Sequence, residues 1–258
     1  MRAATRALVV RRGALGDTIL MLPALRMILA CGRWQQLEFA GNLDHAAVLL
    51  EYGIVDRVRS TEDLRLWEGP AALAQLAADY DRTFVEGHDF DSKIQESCRR
   101  PAAEEFLHRI AASIGLPAAG SPIPQLVTER AAPTTPPLMV VAPGAGSPAK
   151  RAPLARFAAA ISAAHARDHR VALVLGEVEE LVAEALIAGL PPTEEIWRGL
   201  PITELARRLE RASGFVGNDS GVTHLAAALL VPTTALFVTT DPAVWAPTGD
   251  HVRVEQLA

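Results

Sequence analysis

Cysteine is nearly absent: Cys31 and Cys98 are the only two among 258 residues. They are too few for a disulfide scaffold, and they show neither CxxC nor metal-ligand spacing. Inert thiols in a reducing cytoplasm are therefore expected. Long apolar runs are also missing. The longest, 19–30 and 225–238, contain proline and fall short of the roughly 18 residues that a membrane-spanning helix needs. Near the N-terminus the apolar stretch Ala7–Val10 stops at Arg11-Arg12, too early for a secretory h-region. A peripheral stay at the inner face of the plasma membrane is left open by this reading. An excess of positive charge is lacking as well, with 25 Lys and Arg against 30 Asp and Glu. No global basic field attracts nucleic acid, so a phosphate ligand must be held locally. What is present is hydrophobic: half of the residues, which excludes disorder. The length corresponds to about 1.7 domains at roughly 150 residues each.

Short buried-strand runs alternate with helical stretches, the pattern of an α/β chain with parallel sheets. In the first half, strands are expected at 7–11, 37–40, 57–59 and 82–86. Helices are expected at 17–31, 45–52, 70–79 and 102–114. Prolines at 117, 122, 124, 133, 136 and 137 then mark a stiff linker, because proline fixes φ and cannot donate to a ladder. A second unit follows, with strands at 138–142, 171–175, 194–197, 215–216 and 234–238, and helices at 154–167, 179–187, 203–212 and 221–229. The expected organisation is a domain at 1–120, a linker at 121–137 and a domain at 138–258. Its architecture is two Rossmann-like parallel-sheet units facing a central cleft.

Four strand-to-helix junctions carry candidate chemistry, at the sheet edge where open α/β folds bind ligands. In Arg11-Arg12-Gly13-Ala14-Leu15-Gly16-Asp17, Asp17 is either a helix cap or a carboxylate able to take a proton from a substrate hydroxyl. In Pro143-Gly144-Ala145-Gly146-Ser147-Pro148-Ala149-Lys150, Gly144, Gly146 and Ala149 fit GxGxxA, although Pro148 removes one amide. A glycine-rich turn with Lys150 suits a diphosphate, and a solvated lysine is the plain alternative. After the strand ending at Leu175, any of Glu177, Glu179 and Glu180 can receive ribose hydroxyls or simply enrich a first helical turn in acid. In Asn218-Asp219-Ser220-Gly221-Val222-Thr223-His224, the amides at Ser220 and Gly221 open a helix whose positive end can meet an anion. His224 is either part of that site or structural.

The stretch Arg11–Asp17, with Thr18-Ile19-Leu20-Met21-Leu22-Pro23-Ala24-Leu25 behind it, resembles the N-terminal signature of glycosyltransferase family 9, the lipopolysaccharide heptosyltransferase family. Segment 143–153 is similar to the family's mid-chain phosphate loop. Asp219–Ala228 matches its most specific motif, with Pro232 and Thr240-Asp241-Pro242 following. The resemblance implies a shortened member with a GT-B fold that inverts the anomeric centre and needs no metal or other cofactor. It implies Asp17 as general base, with Gly16 beside the acceptor. Gly146, Ser147 and Lys150 would hold the donor diphosphate, and Glu180, four residues beyond Gly176, the ribose. Asp219, Ser220, Gly221 and His224 would contact the phosphates and donor sugar, and Leu200 would lie near the base. Partners so implied are a nucleotide sugar, ADP-heptose being favoured, and a glycan or lipid-linked glycan acceptor. The candidates for gripping an anionic acceptor are Lys93, Arg99 and Arg100, otherwise a solvated helix face. Two further readings compete: a non-catalytic nucleotide-sugar-binding protein, and an NAD-dependent oxidoreductase resting on GxGxxA. The latter leaves Asp219–His224 unexplained.

Overall fold

The computed structural model describes residues 5–62, 70–86 and 100–257. The chain divides into two compact units, Met1–Leu126 and Val127–Ala258, a division that falls within the proline-rich segment.

In the first unit, strands β1 (Arg6–Arg11), β2 (Gln36–Gly41), β3 (Arg57–Ser60) and β4 (Arg82–Glu86) form a parallel sheet in the order β3-β2-β1-β4. The run Ala7–Val10 is fully buried, as a central parallel strand covered on both faces must be. Helices α1 (Leu15–Leu20), α2 (Leu22–Ala30), α3 (Leu43–Glu51), α4 (Pro70–Ala77) and α5 (Ala102–Ser113) complete its described elements. The single helix expected at 17–31 is two. Pro23 has no amide to continue the ladder and stands in the first turn of α2, so α1 stops before it and Met21 joins the two. Under the sheet, Glu38 is buried in a polar cluster. It accepts hydrogen bonds from Arg6 at 2.6 Å and from the Tyr80 hydroxyl at 2.7 Å.

In the second unit, β5 (Leu138–Ala142), β6 (Arg170–Leu175), β7 (Glu195–Arg198), β8 (Gly214–Asn218), β9 (Thr233–Phe237) and β10 (Val252–Gln256) form a parallel sheet in the order β10-β9-β8-β5-β6-β7. Its helices are α6 (Leu154–His165), α7 (Ala183–Ala188), α8 (Ile202–Leu209), α9 (Gly221–Ala228) and α10 (Pro242–Trp245). Phe157 and Ile161 of α6 pack on Val141, Leu173 and Val216 of the sheet, which fixes α6 over β5 and β6. Two details depart from expectation. The helix expected at 179–187 is a 3-10 segment, Glu177–Val182, followed by α7. An edge strand, β10, pairs with β9 where no strand was expected.

Strand order turns back at the first strand of each unit: β1 lies between β2 and β4, and β5 between β6 and β8. The carboxyl ends of these strands border the crevices in which open α/β sheets take ligands.

Candidate functional site

In the second unit the loop after β5 and the turn after β8 are tied together at such a crevice. Asn218, fully buried at the end of β8, accepts a hydrogen bond from the Ala152 amide at 2.9 Å. It donates to the carbonyls of Pro143 at 2.8 Å and Gly144 at 3.2 Å. One side chain thus staples both ends of the loop. The next residue, Asp219, is buried and takes the Lys150 ammonium at 2.7 Å and the Thr240 hydroxyl at 2.6 Å on the same oxygen, Oδ2. Lys150 keeps about a third of its side chain in solvent, so its position is set while its charge stays reachable. Ser147 caps the 3-10 turn Pro148–Lys150 by accepting from the Ala149 amide at 3.3 Å.

A third loop joins from β6. Glu179 is buried, accepts from the Gly176 amide at 3.1 Å and lies 3.5 Å from the Arg151 guanidinium. It sits directly against Gly144, where an added Cβ would come within 2.3 Å of the Glu179 carboxyl carbon. A side chain at position 144 would therefore displace the Glu179 carboxylate from its place in the loop. Glu180 is exposed beside it, Gly146 is exposed in the β5 loop, and Leu200 is half-buried just after β7. Ser220 is the N-cap of α9, with Gly221 as its first residue and His224 buried on its first turn. By general helix geometry the first amides of α9 have no partner within the helix.

In the first unit Asp17 is the third residue of α1, with Gly16 before it. Its Oδ2 accepts from the Ala14 amide at 2.8 Å, and its Oδ1 accepts from Arg11 Nη2 at 2.7 Å. Ala14 has no side-chain acceptor to reciprocate, so only half of a capping box exists. Arg11 is buried and stacks over the Phe106 ring at 4.9 Å, so its guanidinium orients the carboxylate. Gly13, at φ +151°, closes the turn, and a Cβ there would strike Asp17 Oδ2 at 2.4 Å. Asp17 therefore caps α1 and still exposes about a fifth of its side chain. Each carboxylate oxygen retains lone-pair capacity.

Of the basic residues considered for an acceptor, Lys93 and Arg99 lie outside the described residues. Arg100 is half-exposed and 3.8 Å from each of Glu104 and Glu105. Sequence reasoning did not single out Asn218 as a loop staple, Arg11 as the orienting partner of Asp17, or Thr240 on Asp219. Asn218 and Arg11 did stand inside the quoted motifs, and an amide beside a glycine loop was the available signal. Among the described residues, no cluster of three or more His, Cys, Asp or Glu could hold a metal ion. None of their helices is long and apolar enough to cross a membrane.

Comparison with known proteins fits this geometry. The family model of glycosyltransferase family 9 (heptosyltransferase) matches residues 91–257, and the chain belongs to that family. Lipopolysaccharide heptosyltransferase 3 of Escherichia coli is 33% identical over 102 residues, a match covering 38% of this chain and 30% of that protein. Among solved structures, the glycosyl transferase family 9 protein from Veillonella parvula DSM 2008 superposes with a TM-score of 0.77 at 16% identity, covering 99% of this chain and 88% of that one. The E. coli heptosyltransferase WaaC with ADP gives 0.74 at 19% identity, over 98% and 94%. E. coli ADP-heptose LPS heptosyltransferase II gives 0.72 at 20% identity, over 98% and 91%. At these identities the superpositions speak for the fold, a GT-B-like pair of Rossmann-like parallel-sheet domains.

Proposed function

We propose that this protein is an inverting glycosyltransferase that moves a sugar, heptose being favoured, from an ADP-linked donor to a hydroxyl of a lipopolysaccharide-type or other glycan acceptor. The observation that carries the reading is the junction of Lys150 and Asp219 at the crevice between β5 and β8. A buried carboxylate there holds a part-exposed ammonium beside a glycine loop and a helix start, an arrangement suited to a diphosphate. In this reading Gly146, Ser147, Ser220 and Gly221 line the phosphates, His224 supports the donor-sugar side, Glu180 receives the ribose and Leu200 lies near the base. That the related WaaC structure is one with ADP favours an adenine nucleotide.

Asp17 in the first unit is the general base. As the acceptor oxygen attacks the anomeric carbon, its proton passes to Asp17 and the bond from that carbon to the diphosphate breaks. One displacement inverts the centre, and the charge developing on the departing ADP is met by Lys150 and backbone amides without a metal ion. The reaction is placed in the cytoplasm, with the protein peripheral at the inner membrane face where the acceptor is lipid-linked.

The test is a calorimetric screen of ADP-, GDP-, UDP- and dTDP-sugars, followed by transfer assays on wild type and Asp17→Asn. Expected are preference for the ADP-sugar, unchanged donor affinity in the variant, and transfer slowed by roughly 10²-fold or more. Full activity in Asp17→Asn refutes the base assignment. Donor binding with no turnover in wild type gives the non-catalytic binding protein instead.

A further inference from the structure

Strand β10 is the outermost of the second unit's sheet and pairs, among the described residues, with β9 alone. Open edges of this kind are templates for another strand, and proteins blunt them with proline, lysine or bulges. β10 has no proline, glycine or lysine, and its five residues stay in unbroken register with β9. Val254 is 39% exposed, and Arg253 keeps about three quarters of its side chain in solvent. The direction of the backbone groups follows from the bonds at the two ends. The Thr233 amide donates to the His251 carbonyl, and the Leu257 amide to the Phe237 carbonyl. Odd-numbered residues of β10 therefore turn their amides and carbonyls to β9, and even-numbered ones turn theirs outward. Of the outward amides, that of Val252 is already bonded to the Gly249 carbonyl at 3.0 Å. Those of Val254 and Gln256 meet no other strand among the described residues.

We infer that β10 is a self-association edge whose partner is β10 of a second copy of this chain, joined antiparallel about a two-fold axis at Val254. A two-fold axis makes the contact isologous, so each strand meets its own copy. With Val254 opposite itself, the two Val254 residues exchange amide-to-carbonyl bonds, and each Gln256 amide reaches the Val252 carbonyl of the other copy. The same register sets Arg253 opposite Glu255 of the other copy, twice. That pair falls at the non-hydrogen-bonded position, where facing Cα atoms are only ~4.5 Å apart and side chains meet most closely. Glu255 already pairs with Arg156 and, at 3.2 Å, with Arg253 of its own strand, so the joint closes a ring of alternating charge. Slipping by two residues either way keeps the backbone bonding pattern but sets Arg253 or Glu255 against its own copy, where like charges repel. Charge thus selects the one register centred on Val254. The joined sheet has six strands from each copy. Five residues a side make a small contact, so the association is weak. The inference is independent of the transfer reaction.

The experiment is sedimentation equilibrium on the full chain, carried to roughly 0.5 mM because a contact of this size is weak. Urea melts check that each variant is folded before its mass is read. Wild type is expected to rise from monomer toward dimer with concentration. Arg253→Glu and Glu255→Arg each set like charge against like, and each should weaken self-association by about tenfold or more. Mixed in equal amounts, the two variants face opposite charges at both positions and should associate at least as tightly as wild type. Val254→Pro is a variant that keeps the fold, since the amide it removes points away from β9 and an edge strand accepts proline there. It should stay monomeric throughout. The inference is overturned if wild type is monomeric at every concentration, which leaves the edge to solvent or to a strand of a different protein. It is equally overturned if Val254→Pro dimerises like wild type, or if the mixed charge variants associate no better than each alone.

Discussion

Replacing Asn218 with alanine removes three hydrogen bonds from a fully buried side chain: one from the Ala152 amide and two to the Pro143 and Gly144 carbonyls. The Ala152 amide and the Pro143 carbonyl are then left in the interior without their partner, at about 1–3 kcal/mol each. The Gly144 carbonyl is nearer solvent, so water can replace its bond at little cost. The expected loss is about 3 kcal/mol, read as a lower urea midpoint for the second unit, with a weaker affinity for ADP because both ends of the β5 loop are released. Asn218→Asp separates staple from packing. The introduced carboxylate still accepts from the Ala152 amide but faces two carbonyl oxygens with no proton to give them. Its pKa in the folded state is therefore raised, and its stability deficit should be largest at neutral pH. As pH falls through that raised value, the protonated carboxyl donates to Pro143 and the deficit should shrink. An Asn218→Ala variant within 0.5 kcal/mol of wild type (well below the ~1 kcal/mol typical of a single buried hydrogen bond) with unchanged ADP binding would refute the reasoning. A pH-independent deficit in Asn218→Asp would do the same.

Lys150→Ala should weaken ADP binding by about tenfold at low ionic strength, and the difference from wild type should narrow as salt is raised; a salt-independent difference would count against an electrostatic role. Gly144→Ala should destabilise the second unit by about 2 kcal/mol, since the new methyl overlaps the buried Glu179 carboxylate. Combining it with Glu179→Ala should cost less than the sum of the two in denaturant melts, and strict additivity would show that the residues do not meet. In the first unit, burial pushes the Glu38 carboxyl up, but the hydrogen bonds from Arg6 and Tyr80 outweigh it and hold the group below its ordinary value. The unfolded chain therefore binds the proton more readily, so this stabilisation is complete above the ordinary glutamate range and is lost as pH falls through the folded value. Glu38→Gln should be less stable than wild type at pH 7, with the gap closing below about pH 4 in urea melts; a gap that widens on acidification would contradict this sign.

Most of the two sheets was legible because parallel strands buried on both faces spell continuous apolar runs, as at 138–142, a strand at the expected bounds; the edge strand 82–86 also has the expected bounds, with Phe84 buried and Val85 exposed. The candidate site was legible as four strand-to-helix junctions, since glycine, acid and lysine cluster there. Less legible was whatever depends on partners distant in sequence. β10 is an exposed edge strand whose Val252 and Val254 alternate with charged residues, and it is a strand only because β9 offers an open edge. The 3-10 segment at 177–182 encloses a glutamate turned inward against Gly144, a contact that helical periodicity does not encode. Asp17 showed the opposite limit. Cap and base were posed as alternatives, yet the carboxylate makes the cap bond while keeping part of its surface open.

The ion pair between Lys150 and Asp219 closes a loop of 69 residues, and it does so across neighbouring strands, β5 and β8, between which two other strands are synthesised. During translation β5 must wait, with one edge unpaired, while β6 and β7 are made. The nucleotide pocket proposed at this crevice cannot exist until β8 has emerged and docked. Non-local pairing of this kind is slow to form and leaves aggregation-prone edges exposed meanwhile. A nucleotide that binds only the completed pocket would favour the finished sheet by mass action. On the proposed function, nucleotide supply during synthesis would then bear on how much of the chain reaches the native state.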